Sequence, residues 1–325
     1  MHRHPWTGLL AMLLLAASLL SACGSAAPVA PGVGTAVVGT AQAVAPTIAA
    51  AATELAPTVA AAAETAVAAV GNDLLVDVKT RGKLLVATDP NYAPQSFRTP
   101  DEAWEGFDIE VAREVAKRLG VEAEFLDISW DVITAGSWNG RWDINIGSMT
   151  VTPGRKEVLY FTTPYYYTPA AFAVHADSTV ADIAGLAGKK VGVGTATTYF
   201  DYLNNSLTLE DEKILIPAPA ATTQVYDTDV LALQDLALGD GTRLDAVLTA
   251  LPTIENAIKN GEPIKVLGGP VYYEALAVAL DKTGPKSSES LAAAISLAIE
   301  AMRADGTLTR LSMQFYGVDI ATKQP

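Results

Sequence analysis

The chain of 325 residues has one cysteine, three histidines, and an excess of acidic over basic side chains, 36 against 22. A single cysteine excludes an internal disulfide, so stability must come from a packed core. The histidines are His2, His4 and His175, and the first two fall in the leader described below. No metal-ligand spacing and no nucleophile-base pairing is visible, which argues against a zinc enzyme or a triad hydrolase; no cofactor is expected. The formal net charge of −14 disfavours nucleic acid or anionic lipid as a partner of the globular part. It leaves the ligand open, because a pocket can hold local positive charge on an acidic protein.

The N-terminus has the layout of an export signal: His2-Arg3-His4, an apolar run from Leu9 to Leu20, and Leu20-Ser21-Ala22-Cys23-Gly24 with small residues before the cut. The run is short for a membrane span. This layout resembles a bacterial lipoprotein signal, which implies cleavage after residue 22 and lipidation of Cys23. Residues 23–72 are then a tether rich in Ala, Pro, Val, Thr and Gly, with Glu54 and Glu64 as the only charges between 24 and 72. An imperfect eleven-residue repeat runs through it, residues 45–55 echoed by 56–66. Two glutamates, a proline within the run and the weak hydrophobicity of alanine argue against a span there.

From about Asn72 the remaining 250 or so residues suffice for two lobes with a core each. Lys83–Thr88 reads as a buried strand ending at Asp89. Gly106-Phe107-Asp108 opens a helix with Ile109, Ala112, Val115, Ala116 and Leu119 on one face, stopped by Gly120. Val121–Leu126 is the next strand, giving a parallel crossover unit. A second helix is predicted over Trp130–Trp138 and a strand from Asp143. The pattern then starts afresh, with strands over 170–174, 189–193, 242–248 and 264–267, a helix beginning at Tyr199, and a long amphipathic helix over 287–304.

The segment from Asp143 to Arg155 is the most informative. Ile144, Ile146 and Met149 are apolar strand positions, Ser148 and Thr150 offer short donors at alternate positions, Pro153-Gly154 turns the chain, and Arg155 presents a planar fork suited to a carboxylate. Together with Gly106-Phe107-Asp108, Gly140-Arg141-Trp142-Asp143, Pro164-Tyr165-Tyr166, Gly188-Lys189-Lys190-Val191-Gly192-Val193, Leu244-Asp245-Ala246-Val247 and Asp305-Gly306-Thr307, this order of motifs resembles the extracytoplasmic solute-binding proteins of ABC importers, family 3, the polar amino acid group.

The resemblance implies a two-lobed α/β fold of the periplasmic-binding-protein type II, with two hinge crossings and the ligand in the inter-lobe cleft. The implied divisions are 73–166 for the first lobe, 167–271 for the second and 272–325 for the return to the first. The implied ligand-binding residues are Asp89, Tyr92 and Trp130, the donors Ser148 and Thr150, the carboxylate-gripping Arg155, and Thr197 and Thr198 at a helix start. Amino acid binders of the family usually hold the ammonium with an aspartate where this chain has Ala250, so a carboxylate ligand is better supported than an α-amino acid, and Glu274 is a candidate to supply the missing charge. The implied partners are an ABC permease and ATPase, and the membrane through the lipid anchor; the protein is expected to act as a monomer. A dehydratase or lyase built on the same fold and a ligand-sensing module are the alternatives.

Overall fold

The computed structural model describes residues 71–323. The expected signal at 1–22, with Cys23, and the tether over 23–72 thus lie outside the described residues, apart from the tether's last two positions.

A helix α1 (Leu74–Arg81), capped by the Asp73 carboxylate, leads into β1 (Lys83–Thr88). Leu84, Val86 and Ala87 of this continuous apolar run are fully buried, as befits a strand covered on both faces. After three short strands, β2 (Asn91–Tyr92), β3 (Ser96–Arg98) and β4 (Trp104–Glu105), comes α2 (Phe107–Leu119), which crosses over to β5 (Glu122–Asp127), parallel to β1. The face predicted for α2 packs inward: Ile109, Ala112, Val115 and Ala116 are buried, and Gly120 ends the helix in the left-handed region at φ 78°. Gly106 before it has φ 127°, and a Cβ there would stand 2.2 Å from the Gln95 carbonyl oxygen. Only glycine fits that approach. A short helix, α3 (Trp130–Thr134), precedes β6 (Ile144–Thr150), which pairs with β1 on its other side.

Helix α4 (Pro153–Val158) and β7 (Leu159–Phe161) lead to the strands that join the lobes. The first is β8 (Tyr166–His175), and the second is the 18-residue β12 (Ile264–Asp281). They pair antiparallel, Leu276 with Tyr166 through Tyr272 with Ala170 and, after a register shift, Leu267 with Phe172 through Ile264 with His175. The far end of β12 pairs with β6 and β7. Between the two strands lies the second lobe: β9 (Lys190–Gly194), α5 (Thr198–Leu203), β10 (Thr222–Tyr226), α6 (Asp229–Ala237), β11 (Ala246–Ala250) and α7 (Leu251–Lys259). The resulting strand order β10-β9-β11-β8-β12-β6-β1-β5 has one lobe at each end and two strands passing between them. Each lobe carries an apolar cluster on both faces of its part of the sheet. α8 (Glu289–Ala304) and α9 (Thr307–Tyr316) close the first lobe.

Three expectations are corrected. The helix predicted over Trp130–Trp138 ends at Thr134, because Gly136 and Ser137 take positive φ; Trp138 instead lies in the core, its indole N–H donating to the Ile133 carbonyl at 2.9 Å. Pro153-Gly154 starts a helix rather than a turn, since proline suits a first helical position and the Thr152 hydroxyl caps the Arg155 N–H at 3.2 Å. The strand predicted over 242–248 begins at Ala246, because Thr242 closes a turn onto the Gly239 carbonyl and the Asp245 carboxylate binds the Lys190 N–H at 2.8 Å. Beyond the expected elements, the second lobe has the strand Thr222–Tyr226 and the helices Asp229–Ala237 and Leu251–Lys259.

Candidate functional site

A cavity lies where β1, β6, β9 and the hinge strand β12 come together. Asp89, Tyr92, Trp130, Ser148, Thr150 and Arg155 line it from the first lobe, Thr197 and Thr198 from the second, and Glu274 from β12, so all nine residues singled out in the sequence meet there. Their positions follow from strand ends: Asp89 and Tyr92 follow β1, Ser148 and Thr150 end β6, and Thr197 and Thr198 open α5 after β9.

Arg155 bridges the lobes. One guanidinium nitrogen donates to the Thr150 carbonyl at 3.0 Å, and the other donates to the Ala196 carbonyl of the second lobe at 3.0 Å. The guanidinium lies 5.5 Å from the centre of the Trp130 ring, and the Trp130 indole N–H reaches the same Ala196 carbonyl at 3.2 Å. Burial pushes the guanidinium below its usual value, while the nearby Glu274 and Asp201 carboxylates pull it back up. A cation over an aromatic face with its planar fork fixed is suited to hold a carboxylate from one side.

Glu274, on the hinge strand β12, is 1 % exposed and so faces the interior rather than solvent. Its carboxylate accepts three hydroxyls: Thr150 at 2.6 Å from the first lobe, and Thr198 together with Tyr199 at 2.8 Å from the second. Burial pushes its pKa up, and these hydroxyls and Arg155 oppose the shift. Asp89 is also raised by burial, and it caps its own loop by accepting the Asn91 N–H at 2.8 Å. The Tyr92 hydroxyl stands 3.5 Å from that of Tyr199 across the cleft. Among the described residues, no group of three or more His, Cys, Asp and Glu is arranged to hold a metal ion.

Residues 84–318 match the bacterial extracellular solute-binding proteins, family 3. The chain belongs to that family. It is 34 % identical over 250 residues to the L-cystine-binding protein TcyJ of Escherichia coli K12, covering 76 % of this chain and 87 % of the relative. It is 27 % identical over 245 residues to an L-arginine-binding protein of Pseudomonas aeruginosa, covering 72 % and 88 %. Among solved structures, an ancestral amino acid-binding protein described as a precursor of cyclohexadienyl dehydratase superposes with a TM-score of 0.64 at 28 % identity, covering 74 % of this chain and 99 % of the other. An amino acid ABC transporter substrate-binding protein from Streptococcus pneumoniae, bound to L-arginine, superposes at 0.62 with 25 % identity, covering 75 % and 98 %. The named relatives are binding proteins, and the two-lobed architecture is theirs.

Within this solute-binding protein four hydroxyls do not point as expected, Thr150 among them through its bond to Glu274. Ser148, at φ 56°, donates to the Asp108 carboxylate at 2.7 Å and accepts from the Tyr166 hydroxyl at 2.6 Å. It is bound into a buried network that Tyr165 completes by donating to Asp108 at 2.8 Å. Thr197 donates to the Gly194 carbonyl at 2.7 Å and caps the Phe200 N–H, and Thr198 donates to Glu274. Each of these hydroxyl protons therefore goes to the protein rather than to a ligand.

The sequence reading also missed Asp229. It lines the cavity from the start of α6, is 5 % exposed, and accepts the Gly194 N–H at 2.8 Å and the Thr249 hydroxyl at 2.7 Å. Burial pushes its pKa up to about 7, aided by Glu274 and Asp89, against the hydrogen bonds. The available signal was Tyr226-Asp227-Thr228-Asp229, a strand end running into a capped helix start, which became readable only once β10 and α6 were in place. Ala250 is fully buried and does not line the cavity, so its position offers the ligand no contact.

Proposed function

We propose that this solute-binding protein takes a small carboxylate-bearing solute, an amino acid or a close relative of one, into the cleft and presents it to an ABC permease and ATPase. The observation that carries this reading is Arg155, a guanidinium stacked near Trp130 at the junction of the lobes with hydrogen bonds into both. A ligand carboxylate at that point engages the one cation that lines the cleft among the described residues, while the lobes close around it. The relatives named for cystine and arginine binding support the same class.

A thermal-shift panel of amino acids, amines, and mono- and dicarboxylates tests the reading, because a ligand at 100 times its Kd adds about 2.7 kcal/mol to the folded state. Amino acids are expected to raise the melting temperature; a rise with simple amines and none with any carboxylate-bearing compound would overturn it. Recovery of the bound compound unchanged, followed by chromatography, is the outcome expected of a binder rather than a lyase.

Attachment to the outer face of a cell membrane through Cys23 is part of the same proposal and rests on the sequence around residue 23. Cys23→Ala is expected to release the protein or leave it as an unprocessed precursor, since stable anchoring takes more than one acyl chain. A correctly cut variant retained in the membrane fraction would show that something other than lipid holds it.

A further inference from the structure

The cleft carries more negative than positive charge. Asp89, Asp227, Asp229 and Glu274 face it with Arg155 as the cation among the described lining residues, and Arg155 already lies close enough to Glu274 to interact with it. Asp227 is exposed and Asp89 half-buried, and of the two buried carboxylates Asp229 is the less compensated. It is almost wholly buried, it is held from its own lobe by the Gly194 N–H and the Thr249 hydroxyl, and it forms no ion pair among the described residues. The other groups bearing on it are Glu274, Asp89 and the phenols of Tyr92, Tyr199 and Tyr272. None of these brings positive charge.

A buried carboxylate fixed by two donors, with lone pairs remaining and no counter-ion, is completed by a cation. A neutral hydroxyl or amide would supply a hydrogen bond and leave the repulsion among the carboxylates in place. A zwitterion with one ammonium and one carboxylate adds no net charge to the cleft. We propose that Asp229 receives a cationic group of the solute and that the solute carries net positive charge, as a dibasic amino acid does. This deepens the reading of the cleft as an amino acid site and rests on it. The geometry also couples capture to protonation. At neutral pH the Asp229 carboxyl is partly protonated, so a cation placed against it drives the proton off.

The test compares charged with neutral amino acids by calorimetry at pH 7: L-arginine against its isostere L-citrulline, and L-lysine against L-norleucine, which lacks the terminal ammonium. The cationic member is expected to bind at least 10-fold tighter, and Asp229→Asn is expected to weaken L-arginine at least 10-fold. On the unaltered protein, L-arginine titrated in phosphate and in Tris, whose ionisation enthalpies differ, is expected to show net proton release. That measurement does not depend on the folding of the variant. Equal binding of the charged and neutral members, or proton release of zero, would overturn this proposal while leaving the amino acid reading intact. Failure of all four compounds and of the wider amino acid panel would overturn both.

Discussion

Arg155→Ala separates the site from the fold, because the magnitudes on the two sides differ. The variant loses guanidinium hydrogen bonds to the Thr150 and Ala196 carbonyls, each 3.0 Å long, and a ring contact at 5.5 Å. Hydrogen bonds from charged donors contribute roughly 1.5–3 kcal/mol each, and a partly buried cation over a ring about 0.5–2 kcal/mol. Against these stands relief of the desolvation that lowers the Arg155 pKa, and the freed carbonyls border the cleft, where water can reach them. The net loss of stability is therefore expected at the low end, about 1–2 kcal/mol, within the range of ordinary substitutions. The loss of binding is larger. Truncating one partner of a hydrogen-bonded charge pair costs about 2–5 kcal/mol, which at 1.4 kcal/mol per decade is roughly a 30-fold to 4,000-fold rise in Kd. Calorimetry with a panel amino acid that stabilises the unaltered protein is the assay, with urea unfolding to confirm the fold. Arg155→Lys keeps the charge and loses the fork, and it should fall between the two. A Kd within 3-fold of the unaltered protein would remove Arg155 from the ligand's reach and refute the reasoning.

Two further predictions address the first lobe. The Asp108 carboxyl is raised by burial from 3.8 to about 7, so between those values the folded protein holds a proton that the unfolded chain has released; stability from this group is therefore greatest at low pH and falls as pH rises, by about 4 kcal/mol at 1.36 kcal/mol per unit. Asp108→Asn should flatten the slope of unfolding free energy between pH 5 and 7.5, and an unchanged slope would mean that other groups set it. Gly106→Ala would place a Cβ 2.2 Å from the Gln95 carbonyl oxygen at a φ of 127°, and the overpacking and backbone strain together should cost about 3 kcal/mol; a melting temperature within a degree or two of the parent would show that the chain relaxes around it.

Local pattern carried a large part of this protein. The apolar run Lys83–Thr88 and the one-sided face of α2 with its glycine stop are properties of neighbouring residues, and the cleft between two lobes was implied by the resemblance that the motifs carry. The same resemblance picked out nine residues that line the cleft. What the hydroxyls of that set do was not legible, because the acceptors that claim their protons arrive from far along the chain. Thr150 donates to Glu274 across 124 positions, and Ser148 to Asp108 across 40. A serine or threonine at a strand end has the same sequence signature whether its proton faces a ligand or a buried carboxylate. Asp229 shows the converse: its role in the cleft depends on Gly194 and Thr249, which lie 35 and 20 positions away on two other strands. Composition and periodicity determined which elements form and in what order, because those preferences act over a few residues. Which carboxylate is buried without a counter-ion, and so what charge the cleft is fitted to receive, was decided only when the sheet drew those distant positions together.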